Sequence, residues 1–432
     1  MLIRDDIMIV KPIKTIKGEI IAPPDKSISH RAVILSAIAS GKTTISNFLF
    51  SDDTFRTLSA IRKLGVSIDI DENSSGLLVE GKGLDGLTAT DEINCGNSGT
   101  TMRLLTGLLC GQKFNSYLYG DESLNKRPMK RIQEPLSYMG AKIKLEKGHA
   151  PIIIEPSKLN PIKYTMNIAS AQVKSSILLA SLYTSGVTEI EELLPTRNHT
   201  EVMLKHFNCN IEYEDNFVRI INPNKLIAKD IFVPGDISSA TYFIALALIT
   251  ENSNLIIRDV GVNKSRTHIL RLWQKMGGDI RIFNERILNS EDIADIEVKS
   301  SDLTGIVIDK KDVSQCIDEI PILAVTAAYA KGETLISGAE ELKVKESDRL
   351  HYIYMNLKNM KSDVKLGDNS IYINGKENLV GSHIDTANDH RIAMAFTVAG
   401  LKASGETNIS NHECVRISYP DFYKDLYKII KH

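Results

Sequence analysis

The chain has 432 residues, of which 43% are hydrophobic and 25% charged, so it is long enough to form two or three domains with cores of their own. Its 52 Lys and Arg residues nearly balance its 54 Asp and Glu residues, and the net charge of −2 argues against general binding to nucleic acids or membranes. Five separated cysteines without a C-x-x-C pair predict free thiols in a reducing compartment. The acidic start and the lack of an apolar run near the ~18 residues of a membrane span predict a cytoplasmic protein.

Apolar stretches rich in Ala, Leu and Ile recur about every 72 residues along the chain. Each opens with small polar residues, and most close with Gly. The stretches begin at Ser27, Gly99, Ser170, Ser238, Glu319 and Asn388. Because they are apolar on nearly all sides, they predict six buried helices, one in each of six similar units.

A strand-like segment follows each apolar stretch, and in most units an amphipathic helix and a second strand come next. In the first unit, Phe55, Leu58, Ile61 and Leu64 have the spacing of such a helix. Alternating helices and strands predict an α/β fold, and the sixth unit is truncated, as terminal repeats often are.

Six units divide naturally into two domains of three. Proline-containing segments near residues 22–24 and 233–236 are the predicted crossing points. The expected domains are residues 22–235 and residues 1–21 plus 236–432. A cleft between two similar halves is the expected ligand site.

Cations occur where the predicted buried helices of the first half open. Lys26, Ser27 and Arg31 lie at the start of the first, where free N–H groups and the helix dipole attract anions. A solvated helix start explains this segment equally well. The second opening, residues 94–103, contains glycines that allow close backbone approach, and Arg127 precedes a proline nearby. Plain turns and surface charge are the alternative interpretations.

The later openings carry further polar groups. Ser170, Ala171 and Gln172 open the third helix, and Arg197 follows in the same unit. Asp318 and Glu319 open the fifth, and residues 343–349 form a charged run that could also be a solvated face. Arg391 begins a very apolar helix, where an arginine is costly unless it is paired or bound to an anion.

Several motifs are excluded. The segment Gly41-Lys42-Thr43-Thr44 imitates the end of a P-loop, but Ser36 stands where that motif requires Gly. The histidines lack H-x-x-x-H or H-E-x-x-H spacing, and neither a G-x-S-x-G elbow nor a Ser/His/Asp signature occurs. No metal site is expected.

The remaining cations occupy matching ends of the repeats in both halves: Lys26, Arg31, Arg127, Arg197, Lys345, Arg349 and Arg391. They predict a site for a pair of compact, highly negative substrates. Asp318, Lys345 and Glu346 are the titratable groups available for proton transfer.

Six of these motifs, in this order, resemble those of the 5-enolpyruvylshikimate-3-phosphate synthases, the enolpyruvyl transferases of the shikimate pathway. The matching segments are Pro24 to Arg31, Gly96 to Thr100, Lys126 to Pro128, Ser170 to Gln172, Lys345 to Arg349 and Asn388 to Arg391. The resemblance implies the enolpyruvyl transferase fold, an inside-out α/β barrel in two domains. Each domain would have three βαββαβ-type repeats around buried parallel helices, and the N-terminal stretch would join the second domain.

The resemblance also implies a reaction. The 5-hydroxyl of shikimate-3-phosphate adds to phosphoenolpyruvate as its methylene is protonated, and phosphate leaves from a tetrahedral intermediate, in a step of chorismate and aromatic amino acid biosynthesis. Shikimate-3-phosphate would meet Lys26, Ser27, Arg31, Ser170, Ala171, Gln172, Arg197, Asp318 and Lys345. Phosphoenolpyruvate would meet Lys26, Gly99, Arg127, Gln172, Arg349 and Arg391. Asp318 would be the base on the hydroxyl, while Glu346 and Lys345 would handle the proton at the methylene and phosphate ends.

No cofactor is implied, and a monomer with small-molecule substrates is expected. The sequence departs from the family pattern at Ile417, where many members have a lysine, and Arg416 beside it is the candidate replacement. Leu104 replaces a proline of many members, and the Ser-Ala-Gln opening resembles the subgroup that tolerates the inhibitor glyphosate.

Two other functions remain as alternatives. The sister enolpyruvyl transferase that acts on UDP-N-acetylglucosamine shares the architecture but typically uses a cysteine in a mobile loop, and neither Cys95 nor Cys110 lies in such a loop. A non-catalytic anion-binding protein built from the same repeats would not need Asp318, Lys345 and Glu346.

Overall fold

The computed structural model describes residues 2–4, 6–71, 75–222, 225–376 and 378–430. Its contacts divide the chain into two compact units. The first unit comprises Pro24–Val233 and Leu288–Glu291, and the second comprises Met1–Pro23, Pro234–Ile287 and Asp292–His432.

Helices and strands alternate along almost the whole chain. The α-helices are α1 (Lys26–Ala37), α2 (Asp52–Lys63), α3 (Gly99–Cys110), α4 (Glu122–Asn125), α5 (Lys130–Tyr138), α6 (Ala171–Ser181), α7 (His199–His206), α8 (Ile237–Ile249), α9 (His268–Lys275), α10 (Lys310–Gln315), α11 (Ile320–Tyr329), α12 (Arg349–Asn359), α13 (His390–Lys402) and α14 (Phe422–Ile430). Short 3₁₀ helices span Ile317–Glu319, Glu340–Val344 and His412–Ile417. The strands are β1 (Leu2–Arg4), β2 (Ile7–Val10), β3 (Lys17–Ile21), β4 (Ser40–Ser46), β5 (Ser67–Asp71), β6 (Gly76–Lys82), β7 (Ile93–Asn94), β8 (Ser116–Tyr119), β9 (Lys142–Glu146), β10 (His149–Glu155), β11 (Lys163–Met166), β12 (Val187–Glu192), β13 (Ile211–Glu214), β14 (Phe217–Ile221), β15 (Ile231–Phe232), β16 (Asn254–Gly261), β17 (Asp279–Leu288), β18 (Glu291–Lys299), β19 (Val307–Ile308), β20 (Glu333–Ser337), β21 (Asp363–Leu366), β22 (Ser370–Asn374), β23 (His383–Ile384) and β24 (Thr407–Ser410).

The strands form six four-stranded sheets, three in each unit. The sheets of the first unit have the orders β15-β4-β6-β5, β7-β8-β10-β9 and β11-β12-β14-β13. Those of the second unit have the orders β17-β18-β16-β3, β19-β20-β22-β21 and β1-β2-β24-β23. Each sheet contains one parallel pair, such as β7 with β8, next to antiparallel strands. The six predicted units are therefore six copies of one sheet-and-helix arrangement.

Strands that are distant in the sequence complete three of these sheets. Strand β15 pairs with β4, so that Ile231 lies opposite Ile45, and β3 pairs with β16, so that Lys17 lies opposite Asn254. Strand β2 pairs with β24, which places Ile7 opposite Ser410. The N-terminal strands thereby supply the hairpin that the truncated sixth unit lacks.

The order of elements within a unit is βαβαββ, as in β7-α3-β8-α5-β9-β10 with the short α4 before α5. This differs from the βαββαβ order that the resemblance implies. A parallel pair needs a long crossover, which the buried helix provides, whereas the last two strands form an antiparallel hairpin and need only a short turn. The amphipathic helix therefore lies between the second and third strands.

The predicted buried helices form the centre of each unit. Helices α1, α3 and α6 pack together in the first unit, and α8, α11 and α13 pack together in the second. All residues of α8 are buried, and polar groups such as Arg31 and Arg391 are buried at the starts of α1 and α13. Phe55 is an exception to the predicted amphipathic pattern of α2, because it is 47% exposed while Leu58 and Ile61 are buried.

Candidate active site

The start of α1 fixes one cation of the first unit. Asp25 caps the helix by accepting a hydrogen bond from the Ile28 N–H at 2.8 Å. The Lys26 ammonium donates to Oδ2 of Asp53 at 2.9 Å, and both side chains are largely buried. Lys26 is thus held beside the helix N-terminus, where backbone N–H groups also attract anions.

Arg31, one turn further along α1, is buried and joined to two other helices. Its Nε donates to the Thr200 hydroxyl at 2.7 Å, and its guanidinium donates to the Ser175 hydroxyl at 2.9 Å. A third hydrogen bond, of 2.9 Å, reaches the backbone carbonyl of Ser27. These contacts fix one cation at a point where α1, α6 and α7 meet.

The start of α3 is a second cationic position in this unit. Gly96 adopts a positive φ of 54°, and Ser98 caps the helix by accepting from the Thr101 N–H at 3.2 Å. A Cβ at Gly99 would lie 3.2 Å from a terminal nitrogen of Arg127 and 3.3 Å from one of Arg103. The missing side chain therefore lets two guanidinium groups approach the N-terminus of α3 closely.

The start of α6 lies against Thr100 and Arg103 of α3. Ser170 caps α6 through the Val173 N–H at 3.4 Å. The Gln172 amide donates to the Thr100 hydroxyl at 2.9 Å and accepts a short hydrogen bond from Arg103. Arg197 is partly buried in the loop between β12 and α7. The structure therefore brings the predicted residues of α1, α3 and α6 together at one end of the first unit's buried helices.

His30 occupies this region without being a candidate acid or base. Burial, reinforced by Lys26 and Arg31, lowers its pKa well below the ordinary value. Its Nδ1 lies 2.7 Å from the Thr57 hydroxyl. The neutral ring has a structural role, as expected for an isolated histidine.

In the second unit, Asp318 lies between two arginines. Its side chain is 3.2 Å from a terminal nitrogen of Arg349 and 3.5 Å from one of Arg391. Arg391 also donates to the backbone carbonyl of Asp318 at 3.0 Å. The Asp318 side chain is 19% exposed, so its carboxylate remains accessible while both arginines fix its position.

Arg349 is 1% exposed and has two further carboxylate partners. Its Nε donates to Asp389 at 2.8 Å, and a terminal nitrogen donates to Glu346 at 2.5 Å. Burial opposes the charge, but Asp389, Glu346 and Asp318 keep the Arg349 pKa above its ordinary value. Burial likewise opposes the charge on Arg391, and Asp318 dominates in raising its pKa.

Lys345 differs from these arginines because its ammonium group forms no ion pair with the part of the chain that the structure describes. It is partly buried directly before Glu346. Burial lowers its pKa from 10.5, although Asp318 acts in the opposite direction. Lys345 can therefore lose its proton more easily than an exposed lysine.

Several residues of these clusters were not among the predicted site residues. Arg103 lies four residues after Gly99, on the same helix face, and this spacing could have revealed it. Glu319 accepts a short hydrogen bond from Ser238 and lies 3.8 Å from Arg391. Arg266 donates to Ser238 at 2.6 Å, a contact between distant segments that no local pattern indicates.

Arg416, the candidate replacement for the lysine missing at Ile417, and Leu104 both lie in helices. Arg416 is exposed on the 3₁₀ helix His412–Ile417, and Leu104 is fully buried in α3. Burial raises the pKa of Cys95 and that of Cys110 to about 12, so both remain protonated thiols. Neither cysteine has the properties of a reactive group.

Within the described ranges, no group of three or more His, Cys, Asp or Glu side chains could hold a metal ion. Among the helices given above, none has the length and apolar character that crossing a membrane requires.

Comparison with known proteins assigns the family. A sequence model of EPSP synthase (3-phosphoshikimate 1-carboxyvinyltransferase) matches residues 10–426. A 3-phosphoshikimate 1-carboxyvinyltransferase of Thermoanaerobacter sp. (strain X514) is 49% identical over 416 residues, which cover 96% of this chain and 98% of the relative. One of Geotalea uraniireducens (strain Rf4) is 45% identical over 98% of both chains.

A solved structure of EPSP synthase from Acinetobacter baumannii has a TM-score of 0.86 and 42% identity, and the match covers 98% of both chains. This similarity confirms the predicted α/β class and enolpyruvyl transferase fold. The sequence relatives confirm the resemblance identified from the six motifs. The chain belongs to the EPSP synthase family.

Proposed function

We propose that this chain transfers the enolpyruvyl group of phosphoenolpyruvate to the 5-hydroxyl of shikimate-3-phosphate and releases phosphate. Family membership supports this reaction. The observation that carries the proposal is the position of Asp318, an accessible carboxylate between Arg349 and Arg391. The two cations can neutralise anionic substrate groups while the carboxylate accepts a proton.

The proposed binding residues are assigned to the two substrates according to the charged groups that each substrate carries. Shikimate-3-phosphate is assigned Lys26, Ser27, Arg31, Ser170, Ala171, Gln172, Arg197, Asp318 and Lys345. Phosphoenolpyruvate is assigned Lys26, Gly99, Arg127, Gln172, Arg349 and Arg391. Fixed guanidinium groups suit phosphate and carboxylate oxygens because they donate several hydrogen bonds in one plane. This assignment takes residues from both predicted domains, 22–235 and 1–21 plus 236–432. Both domains would therefore have to act on the same pair of substrates.

The proposed chemistry has two steps. Asp318 takes the proton of the 5-hydroxyl as the hydroxyl oxygen bonds to the central carbon of phosphoenolpyruvate. Lys345 or Glu346 protonates the methylene carbon. The resulting methyl group then returns that proton to the same side chain as the carbon–oxygen bond to phosphate breaks, which restores the double bond. The departing phosphate takes the proton that Asp318 removed from the hydroxyl, so the enzyme returns to its starting state. Lys345 is suited to this exchange because burial lowers its pKa, so it gives up its proton more readily than an exposed lysine.

The direct test is phosphate release from phosphoenolpyruvate. Release that depends on shikimate-3-phosphate supports the proposal, and formation of the enolpyruvyl ether by mass spectrometry identifies the product. UDP-N-acetylglucosamine as acceptor should give no release. Release with that acceptor, or no release with either, would overturn the assignment.

Replacing Arg127 with alanine should lower kcat/KM for phosphoenolpyruvate by about 10²- to 10³-fold, because a fixed cation beside Gly99 is lost. Steady-state kinetics of purified enzyme measure the effect. Lys130→Ala is the matched control, since Lys130 is exposed at the start of α5. An Arg127→Ala enzyme as active as this control would remove Arg127 from the site.

The Lys345 ammonium should set the alkaline limb of the pH profile. Because burial lowers its pKa, kcat/KM should begin to fall at a pH below the ordinary lysine value of 10.5. In Lys345→Arg, kcat should be about 10²-fold lower and this limb should move to higher pH, since arginine stays charged. Lys343→Arg, at an exposed position, is the control. An unmoved limb in Lys345→Arg would assign the titration to another group.

A further inference from the structure

A buried ionic cluster lies close to the start of α6 and has no part in the proposed chemistry. The Lys174 ammonium donates to Glu192 at 2.7 Å and to Glu201 at 2.6 Å. The three side chains are 2%, 2% and 3% exposed, respectively. We call these three residues the Lys174 cluster.

The charges of the Lys174 cluster keep the lysine protonated. Burial opposes its charge, but Glu201 and Glu192 raise the Lys174 pKa above the ordinary value. Burial raises the pKa of Glu192, against the opposing effect of Lys174. Such a cluster is costly to desolvate, so it is weak evidence for stability and invites a search for another role.

The Lys174 cluster holds both ends of the loop formed by residues 193–198. Glu192 is the last residue of β12, immediately before the loop, and Glu201 lies in the first turn of α7, just after it. One ammonium group on α6 therefore connects the two ends. The starting residue of the same helix is Ala171, so the loop is fixed relative to the Ser170-Ala171-Gln172 opening.

A hydrogen bond from Thr196 extends this cluster into the loop itself. The Thr196 hydroxyl donates to Oε1 of Glu192 at 2.5 Å, while Oε2 of the same carboxylate accepts from Lys174. Thr196 directly precedes Arg197. The buried carboxylate thus connects Lys174 to the residue beside the candidate substrate-binding arginine.

A parallel contact strengthens the same junction. Ser175 and Thr200, the sequence neighbours of Lys174 and Glu201, have hydroxyl oxygens 2.6 Å apart. Arg31 donates to both hydroxyls. A second set of hydrogen bonds therefore joins α6 to α7 at the point where the loop enters α7.

We propose that Glu192 and Thr196, held in place by Lys174, are positioning residues that orient Arg197 for the anionic acceptor substrate. The inference rests on the proposed function, because it takes the acceptor to be shikimate-3-phosphate. It assigns these residues to acceptor affinity and gives them no part in proton transfer.

The test uses Thr196, because Lys174→Met would leave two buried carboxylates without a counter-charge and would endanger folding. Thr196→Val should weaken binding of shikimate-3-phosphate about tenfold, as measured by titration calorimetry. The kcat value and KM for phosphoenolpyruvate should change less than about twofold. Thr196→Ser keeps the hydroxyl and should bind like the wild type. Thr196→Val that also binds normally would overturn the inference.

A double-mutant cycle separates positioning from general structural damage. If Thr196 acts through Arg197, adding Thr196→Val to Arg197→Ala should cause little further loss of affinity. Full additivity of the two losses would overturn the inference. Wild-type protein that binds no shikimate-3-phosphate would instead refute the proposed function, so the two failures are distinguishable.

Discussion

Asp318→Asn is expected to lower kcat by about 10²- to 10⁴-fold, the contribution of a positioned general base. The amide can still accept hydrogen bonds from Arg349 and Arg391, which lie 3.2 and 3.5 Å from the carboxylate, but it cannot take up the hydroxyl proton. The arginines should therefore stay in place, and KM for both substrates should change much less than kcat. Steady-state kinetics with each substrate varied in turn measure the difference.

Asp318→Ala distinguishes a base from a group that only orients the arginines. It removes both the proton acceptor and the hydrogen-bond acceptor, so a base predicts similar kcat losses in the two variants. If Asp318→Asn retains most of the activity and only Asp318→Ala loses it, the role is orientation. Asp302→Asn is the matched control, because this aspartate is 90% exposed and pairs with Lys331 at the surface.

The six buried helices could be predicted because each combines a long apolar run with a polar start. Helix α1 begins at Lys26 and α3 at Gly99, next to or at the predicted residues. The sequence also predicts that these starts attract anions, since cations and small residues lie within one or two turns of them. Local sequence is sufficient for features that depend on a single helix.

Features that depend on distant contacts could not be predicted in the same way. Strand β15 has two residues, too few for any periodic pattern, and it pairs with β4 almost 190 residues earlier. Arg349 and Asp389 form an ion pair across 40 residues of sequence. The family resemblance supplied candidate residues, but only the coordinates give their partners, as with Arg103 and Gln172.

Arg349→Met is expected to lower the free energy of unfolding of the second unit by about 3–5 kcal/mol, because it removes the shared cation of three carboxylates. Asp389 is fully buried, while Asp318 and Glu346 are partly exposed. Urea unfolding followed by tryptophan fluorescence measures the change, since the chain has a single tryptophan. Trp273 is fully buried in the second unit and donates to Thr326 of α11 at 2.8 Å, so its signal reports on this unit.

The size of this loss can be judged against a surface control. Arg281→Met should change stability by less than about 1 kcal/mol, because Arg281 is 72% exposed and 4.0 Å from Glu297. A loss no larger than that of Arg281→Met would show that the three carboxylates do not need this cation.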